Sequence, residues 1–111
     1  MEGGTLISIH QNTYPGRRYH GTHVFYAPTD GSQALADHVQ NSIKTALQPD
    51  NERAVKQIPD TVYIMNHITC PGILIECGFL TNPAEEAMLR DPDYQRKLSA
   101  VIAAAWLTAE G

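Results

Sequence analysis

No stretch of the chain reaches the ~18 consecutive apolar residues that a membrane-spanning helix needs, so a helical span is excluded by length. Basic residues are scarce. Eight Lys and Arg stand against twelve Asp and Glu, for a net charge of −4. A general nucleic-acid binder shows a basic face, and this balance argues against that class. Cysteine is limited to Cys70 and Cys77. Their spacing is not that of a C-x₂-C zinc pair, and both read as small buried or half-buried thiols rather than as a disulfide or as ligands. Neither an internal repeat nor a low-complexity tract is present. Met1-Glu2-Gly3-Gly4 has neither the basic start nor the apolar core of a signal peptide. The 42% apolar and 18% charged fractions carry no signature of disorder. At 111 residues the chain is one domain at most, and a chain of that size buries roughly 65% of its unfolded surface, enough for one modest core.

What is present centres on Pro71-Gly72-Ile73-Leu74-Ile75-Glu76-Cys77-Gly78-Phe79-Leu80-Thr81-Asn82-Pro83. A continuous apolar run between turn residues reads as a strand buried on both faces. Glu76 closes that run, at the carboxyl end of the strand where open α/β sheets bind ligands. A carboxylate there is costly without a partner, a cation or a shared proton, unless it simply reaches water. A second stretch repeats the design. Thr5-Leu6-Ile7-Ser8-Ile9 is a short apolar strand that ends in His10-Gln11-Asn12. If the two strands are neighbours, His10 and Glu76 aim an imidazole and a carboxylate into one crevice. That is the pairing a zinc hydrolase needs, one group to hold the metal and one to handle the proton of a water.

The remaining chain reads as scaffold. Residues 11–21 form a loop with Arg17-Arg18 as a basic spot, which either touches an anionic substrate or is merely solvated. Residues 21–26 form a second strand, with Val24 and Tyr26 on one face and His23 and Phe25 on the other. A helix follows over about 32–47, because Leu35, Val39, Ile43, Ala46 and Leu47 recur at helical spacing. Asp37, Gln40, Asn41 and Lys44 fill its other side, and Thr29, Asp30 or Ser32 is placed to cap it. Residues 50–60 are polar, and Thr61-Val62-Tyr63-Ile64-Met65-Asn66 is expected to be a third strand. Asn82-Pro83 and Asp91-Pro92 each give a cap followed by a first-turn proline, with Glu85 set to return a bond to the first cap. These start a short helix and then a final one with its stripe at Tyr94, Leu98, Val101, Ile102 and Ala105. None of His20, His23, His38 and His67 falls in an H-E-x-x-H pattern. His38 reads as surface, whereas His20 and His23 lie close enough in sequence to approach the same sheet edge as His10.

Ser8-Ile9-His10-Gln11-Asn12 and Leu74-Ile75-Glu76-Cys77-Gly78-Phe79-Leu80-Thr81-Asn82 resemble two signature segments of the zinc-dependent N-acetylmuramoyl-L-alanine amidases, which act on the bacterial cell wall. Similar character continues through Gly21-Thr22-His23-Val24-Phe25-Tyr26 and Arg53-Ala54-Val55-Lys56, so that the resemblance covers nearly the whole chain from Leu6 to Trp106. It implies a three-layer α/β domain, with a mixed and mostly parallel sheet of about four strands flanked by helices. It also implies zinc as cofactor, His10 as a metal ligand and Glu76 as the proton-transfer residue. Asn12 and Arg53 become candidate substrate contacts, with Gln11 and Lys56 beside them. The expected substrate is peptidoglycan or a muropeptide, outside the cytoplasm. In the family, a His in a Gly-rich loop and a Glu on a following helix complete the zinc site. Those segments should precede Leu6, and only five residues stand there. The chain therefore resembles the C-terminal portion of such an amidase, without the family's N-terminal strand and helices. The alternative reading is a non-catalytic remnant that binds peptidoglycan or a protein. A bare sheet edge at the first strand predicts self-association.

Overall fold

The computed structural model of the chain describes residues 4–12, 21–79 and 83–110. Its elements run β1 (Leu6–Asn12), β2 (His23–Tyr26), α1 (Ser32–Ala46), β3 (Lys56–Gln57), α2 (Tyr63–His67), β4 (Gly72–Phe79), α3 (Pro83–Arg90) and α4 (Pro92–Glu110). The strands make one sheet in the order β1-β4-β2-β3. β4 pairs in parallel with β1 and antiparallel with β2, and β2 pairs in parallel with β3. The sheet is thus mixed and mostly parallel, and it has helices on both faces.

Strand alternation divides the core in two. Ile73, Ile75 and Cys77 of β4 point to one face, with Val24 of β2, and meet Leu35, Val39 and Ile43 of α1, Leu89 of α3 and Leu98, Ile102 and Ala105 of α4. Leu74 points to the other face and packs with Ala27, Ile58 and Met65, flanked by Leu6, Phe25, Val62 and Ile68. The central run Ile73-Leu74-Ile75 is buried on both sides, as its unbroken apolar character requires. α4 starts as its sequence predicts: the Asp91 carboxylate accepts the Asp93 N–H at 2.9 Å. Asn82 lies outside the described residues, as does the side chain of Glu85, so the cap expected for α3 does too.

Three expectations need correcting. Residues 61–66 do not form a strand. Tyr63–His67 is a short helix, and the third strand is instead Lys56–Gln57, inside the segment read as a polar loop. The buried or half-buried apolar positions here are Val62, Met65 and Ile68, three residues apart, while Tyr63 and Ile64 are exposed. That spacing is helical, and packing has overridden the β-propensity of the Val-Tyr-Ile run. The start of α1 is capped by Gly31 in the left-handed region (φ 86°), not by a side chain. The hydroxyls expected to cap it turn toward β4 instead. Thr29 Oγ1 donates to the Cys70 carbonyl at 2.9 Å, and Ser32 Oγ accepts the Gly72 N–H at 2.9 Å. Finally, Gln40 is not on the solvent side of α1. It is only 2% exposed.

Gln40 belongs to a buried polar network around Thr22. Its Oε1 accepts the Val24 N–H at 2.8 Å and its Nε2 donates to the Thr22 carbonyl at 3.0 Å. Thr22 Oγ1 donates to the Cys77 carbonyl at 3.0 Å and accepts from Gln48 Nε2 at 2.8 Å. Asn51 Nδ2 also donates to the Thr22 carbonyl, at 2.8 Å. A four-residue β2 beside a two-residue β3 leaves backbone groups unpaired, and these amides substitute for the missing strand. Gly21 is required here twice over. Its φ is +85°, and a Cβ would stand 3.0 Å from Asn51 Nδ2. Gln40→Leu should leave the buried Val24 N–H without an acceptor and lower stability by about 1–3 kcal/mol. Urea denaturation checks this, and an unchanged midpoint would contradict the role given to Gln40.

Candidate active site

The strand register assembles the site. His10 of β1 lies opposite Glu76 of β4, and His23 of β2 lies opposite the same Glu76 from the other side. Opposed residues share a face of the sheet, and neighbouring strands are about 4.8 Å apart. The result is a row of imidazole, carboxylate and imidazole on the face where α2 packs, one strand position beyond the Leu74 cluster. The register slips between His10 and Asn12, which stands opposite Phe79. Such bulges re-aim side chains and are frequent beside active sites.

Glu76 is 8% exposed, and its Oε1 is buried with no hydrogen-bond partner. Burial pushes its carboxyl up to about 7. A carboxyl raised this far changes protonation state near neutral pH. Burial and then the Glu76 charge push the neighbouring Cys77 thiol up to about 11, which leaves it an inert core group. Both cysteines are free thiols.

His10 is exposed, and its Nε2 lies 2.8 Å from Ser8 Oγ, two residues back on the same face. His23 is held at both nitrogens. Nε2 lies 2.9 Å from the Ala54 carbonyl and therefore carries the proton, which leaves Nδ1 to accept from Arg53 Nη1 at 3.4 Å. Burial first, then the charges of Arg53 and Lys56, push the His23 pKa below its usual value, against the hydrogen bond to Ala54. The ring stays neutral at physiological pH. It also leans on Phe25, with centroids 4.4 Å apart.

Of the residues singled out from sequence, His10, Glu76 and Arg53 come to one face. Asn12 ends β1 beside them, though its side chain and that of Gln11 lie outside the described residues, as do Arg17, Arg18 and His20. Lys56 stands on β3 opposite Phe25. His38 is away from the site and ties α1 to α4, with Nε2 2.7 Å from Thr108 Oγ1. His67 stacks on Tyr63 at 3.9 Å. His23 reaches the same part of the sheet as His10, as its nearness in sequence allows, and the register sets it opposite Glu76. Sequence reasoning missed Gln40, Gln48 and Asn51 as the support behind β2.

The chain belongs to the N-acetylmuramoyl-L-alanine amidase family, whose model matches residues 2–107. It is 35% identical over 102 residues to the germination-specific N-acetylmuramoyl-L-alanine amidase of Bacillus subtilis, an alignment covering 91% of this chain and 42% of that protein. Its fold is similar to that of the CwlD amidase of Clostridioides difficile, solved in complex with the GerS lipoprotein. The TM-score is 0.87 at 33% identity, over 95% of this chain and 53% of that one. The amidase AmiC2 of Nostoc punctiforme gives a TM-score of 0.82 at 26% identity, over 94% and 56%. The chain thus spans about half the length of these relatives.

The raised carboxyl has a consequence for stability. Between its ordinary value of 4.5 and about 7 the folded state holds the Glu76 proton and the unfolded state has lost it. This contribution is fully present below 4.5 and is lost as pH rises through about 7. In metal-free protein, Glu76→Gln should therefore gain stability relative to the native chain between pH 4.5 and 8, a gap read from thermal midpoints of the two proteins. A constant gap would mean that the carboxylate is not desolvated.

Proposed function

We propose that the chain serves in hydrolysis of the amide between the muramic acid lactyl group and L-alanine of peptidoglycan, as part of an amidase catalytic domain. The observation that carries this reading is the Glu76 carboxyl, whose Oε1 is buried without a hydrogen-bond partner, opposite His10 on the neighbouring strand in a chain of this family. Glu76 takes the proton of the attacking water and passes it to the departing amine nitrogen as the C–N bond breaks. Its carboxyl near 7 suits both transfers. Asn12 and Arg53 are proposed substrate contacts. By likeness to cell-wall relatives, the site of action is extracytoplasmic, and the CwlD–GerS complex makes a protein partner a reasonable proposal.

Zinc is the expected cofactor, with His10 as one ligand. The described residues do not fit a complete centre: no group of three His, Cys, Asp or Glu among them is placed to hold an ion. The remaining donors would come from outside the described residues. That same observation favours a second reading, in which the chain binds peptidoglycan without cleaving it.

Two measurements separate the readings. The purified chain, given a muropeptide, should release peptide with a new alanine amino terminus. Glu76→Gln should slow that release by about 10²–10⁴-fold without loss of folding, and retained activity in the variant would remove Glu76 from the mechanism. Zinc per chain, measured by elemental analysis on protein purified without a metal-affinity tag, should approach one and fall in His10→Ala. Absence of both zinc and product release would leave the binding reading.

A further inference from the structure

The two imidazoles that flank Glu76 are held differently. His23 is fastened at both ring nitrogens, by the Ala54 carbonyl and by Arg53, and has no nitrogen left to offer. His10 is fastened at one. Its Nε2 lies 2.8 Å from Ser8 Oγ, and among the described residues that hydroxyl is its only hydrogen-bond partner. The two nitrogens of an imidazole point in divergent directions and take distinct partners. With Nε2 turned to Ser8, Nδ1 faces away from it.

We propose that Ser8 is a positioning residue for His10: its hydroxyl accepts a hydrogen bond from Nε2–H, orients the ring and leaves the lone pair of Nδ1 as the one that His10 presents to the site. The inference rests on the amidase reading, in which His10 is expected to hold the metal. A metal-binding imidazole gives the lone pair of one nitrogen while a partner takes the N–H of the other, and that partner fixes the tautomer.

Strand packing alone would not put a serine at position 8. Ser8 stands opposite Leu74, and its neighbour on that face, Leu6, packs against the cluster of Ala27, Ile58, Met65 and Leu74. A β-branched side chain suits such a place. A half-buried hydroxyl beside apolar side chains costs free energy unless it is bonded, and the bond Ser8 makes is the one to His10. Its location matters as well. The register of β1 on β4 slips directly after His10, so the ladder beyond gives the ring no regular support. Ser8 lies before the slip, in regular register, and ties the ring back to the evenly paired part of the strand.

The test is long-range proton–nitrogen NMR of the isotope-labelled, metal-free chain, at a pH well above the ordinary histidine value of about 6.5, where the tautomers are read directly. The chain carries its own standards. His23 Nε2 faces the Ala54 carbonyl and bears the proton there, whereas His67 Nδ1 faces the Tyr63 carbonyl at 2.8 Å and bears it on the other nitrogen. His10 should show the His23 pattern. Ser8→Ala should lower its ratio of Nε2–H to Nδ1–H about fivefold, the effect of losing one ordinary hydrogen bond, with the His23 signals unmoved as the sign of an intact sheet. Ser8→Thr keeps the hydroxyl and should restore the native ratio. A proton on His10 Nδ1 in the native chain would overturn the proposal, and that outcome needs no variant to fold. A ratio unchanged in Ser8→Ala would overturn it too. The metal-free spectrum is read independently of product release. The expected tautomer in a chain that neither takes up zinc nor cleaves a muropeptide would therefore overturn the amidase reading and leave the orientation of His10 by Ser8 in place.

Discussion

A carboxylate inside the buried central strand is the constraint from which the rest follows: β4 does not close at Glu76, as its apolar run suggests, but runs on to Phe79. β4 is an interior strand, with β1 on one side and β2 on the other, and its Ile73 and Ile75 have no accessible surface at all. Continuing such a strand into Glu76 puts an ionisable oxygen where no hydrogen bond reaches it. Burying a polar group without a partner costs roughly 1–3 kcal/mol on the scale of protein substitutions. A neutral side chain of the same shape would avoid that cost. Two other strands bring imidazoles alongside Glu76, His10 from β1 and His23 from β2.

Holding that group in place falls to side chains that look unremarkable in the sequence. β2 is four residues long and β3 only two. Short strands of this kind have few ladder hydrogen bonds with which to fix a register. Thr22, Gln40, Gln48 and Asn51 supply the deficit by bonding to backbone groups at the start of β2. Thr22 also reaches the Cys77 carbonyl, one residue past Glu76. Gln48 extends the network to the Tyr94 hydroxyl of α4 at 2.7 Å. The site row on one face of the sheet is thus braced from the helical layer on the other. Buried polar networks of this sort specify one arrangement when every member is satisfied.

Elements with a strong period were legible from the chain alone. Leu35, Val39 and Ile43 announced α1, the Asp91-Pro92 cap announced α4, and the run from Ile73 to Glu76 announced the central strand. Those with a weak or conflicting signal were not. The Val-Tyr-Ile sequence at 62–64 carries β-propensity, yet its fate was decided by Met65 and Ile68 packing under the sheet, a tertiary fact. Lys56 and Gln57 have no strand signal, because an exposed edge strand of two residues buries nothing. Gln40 reads as solvent-facing on a helical wheel until β2 is known to lie beneath it. At the site, His10 and Glu76 read as strand-end groups, but their strands continue to Asn12 and Phe79, because the pairing of β1 with β4 outlasts the apolar run. Their alignment with His23 depended on strand order, and sequence carried no information on that order.

The same topology explains how chemistry is distributed over the chain. Each group on the open face comes from a different strand or the segment beside it: His10 from β1, Glu76 from β4, His23 from β2 and Arg53 from the approach to β3. No two of them are close in sequence, and each is placed by the register of its strand rather than by local geometry. A site assembled this way is divisible. The placement of Glu76, His23 and Arg53 depends on β4, β2 and the approach to β3 and on the network that braces them. On the β1 side, His10 is placed by the pairing of β1 with β4 alone. The two ends of the row are therefore placed by separate elements of the sheet.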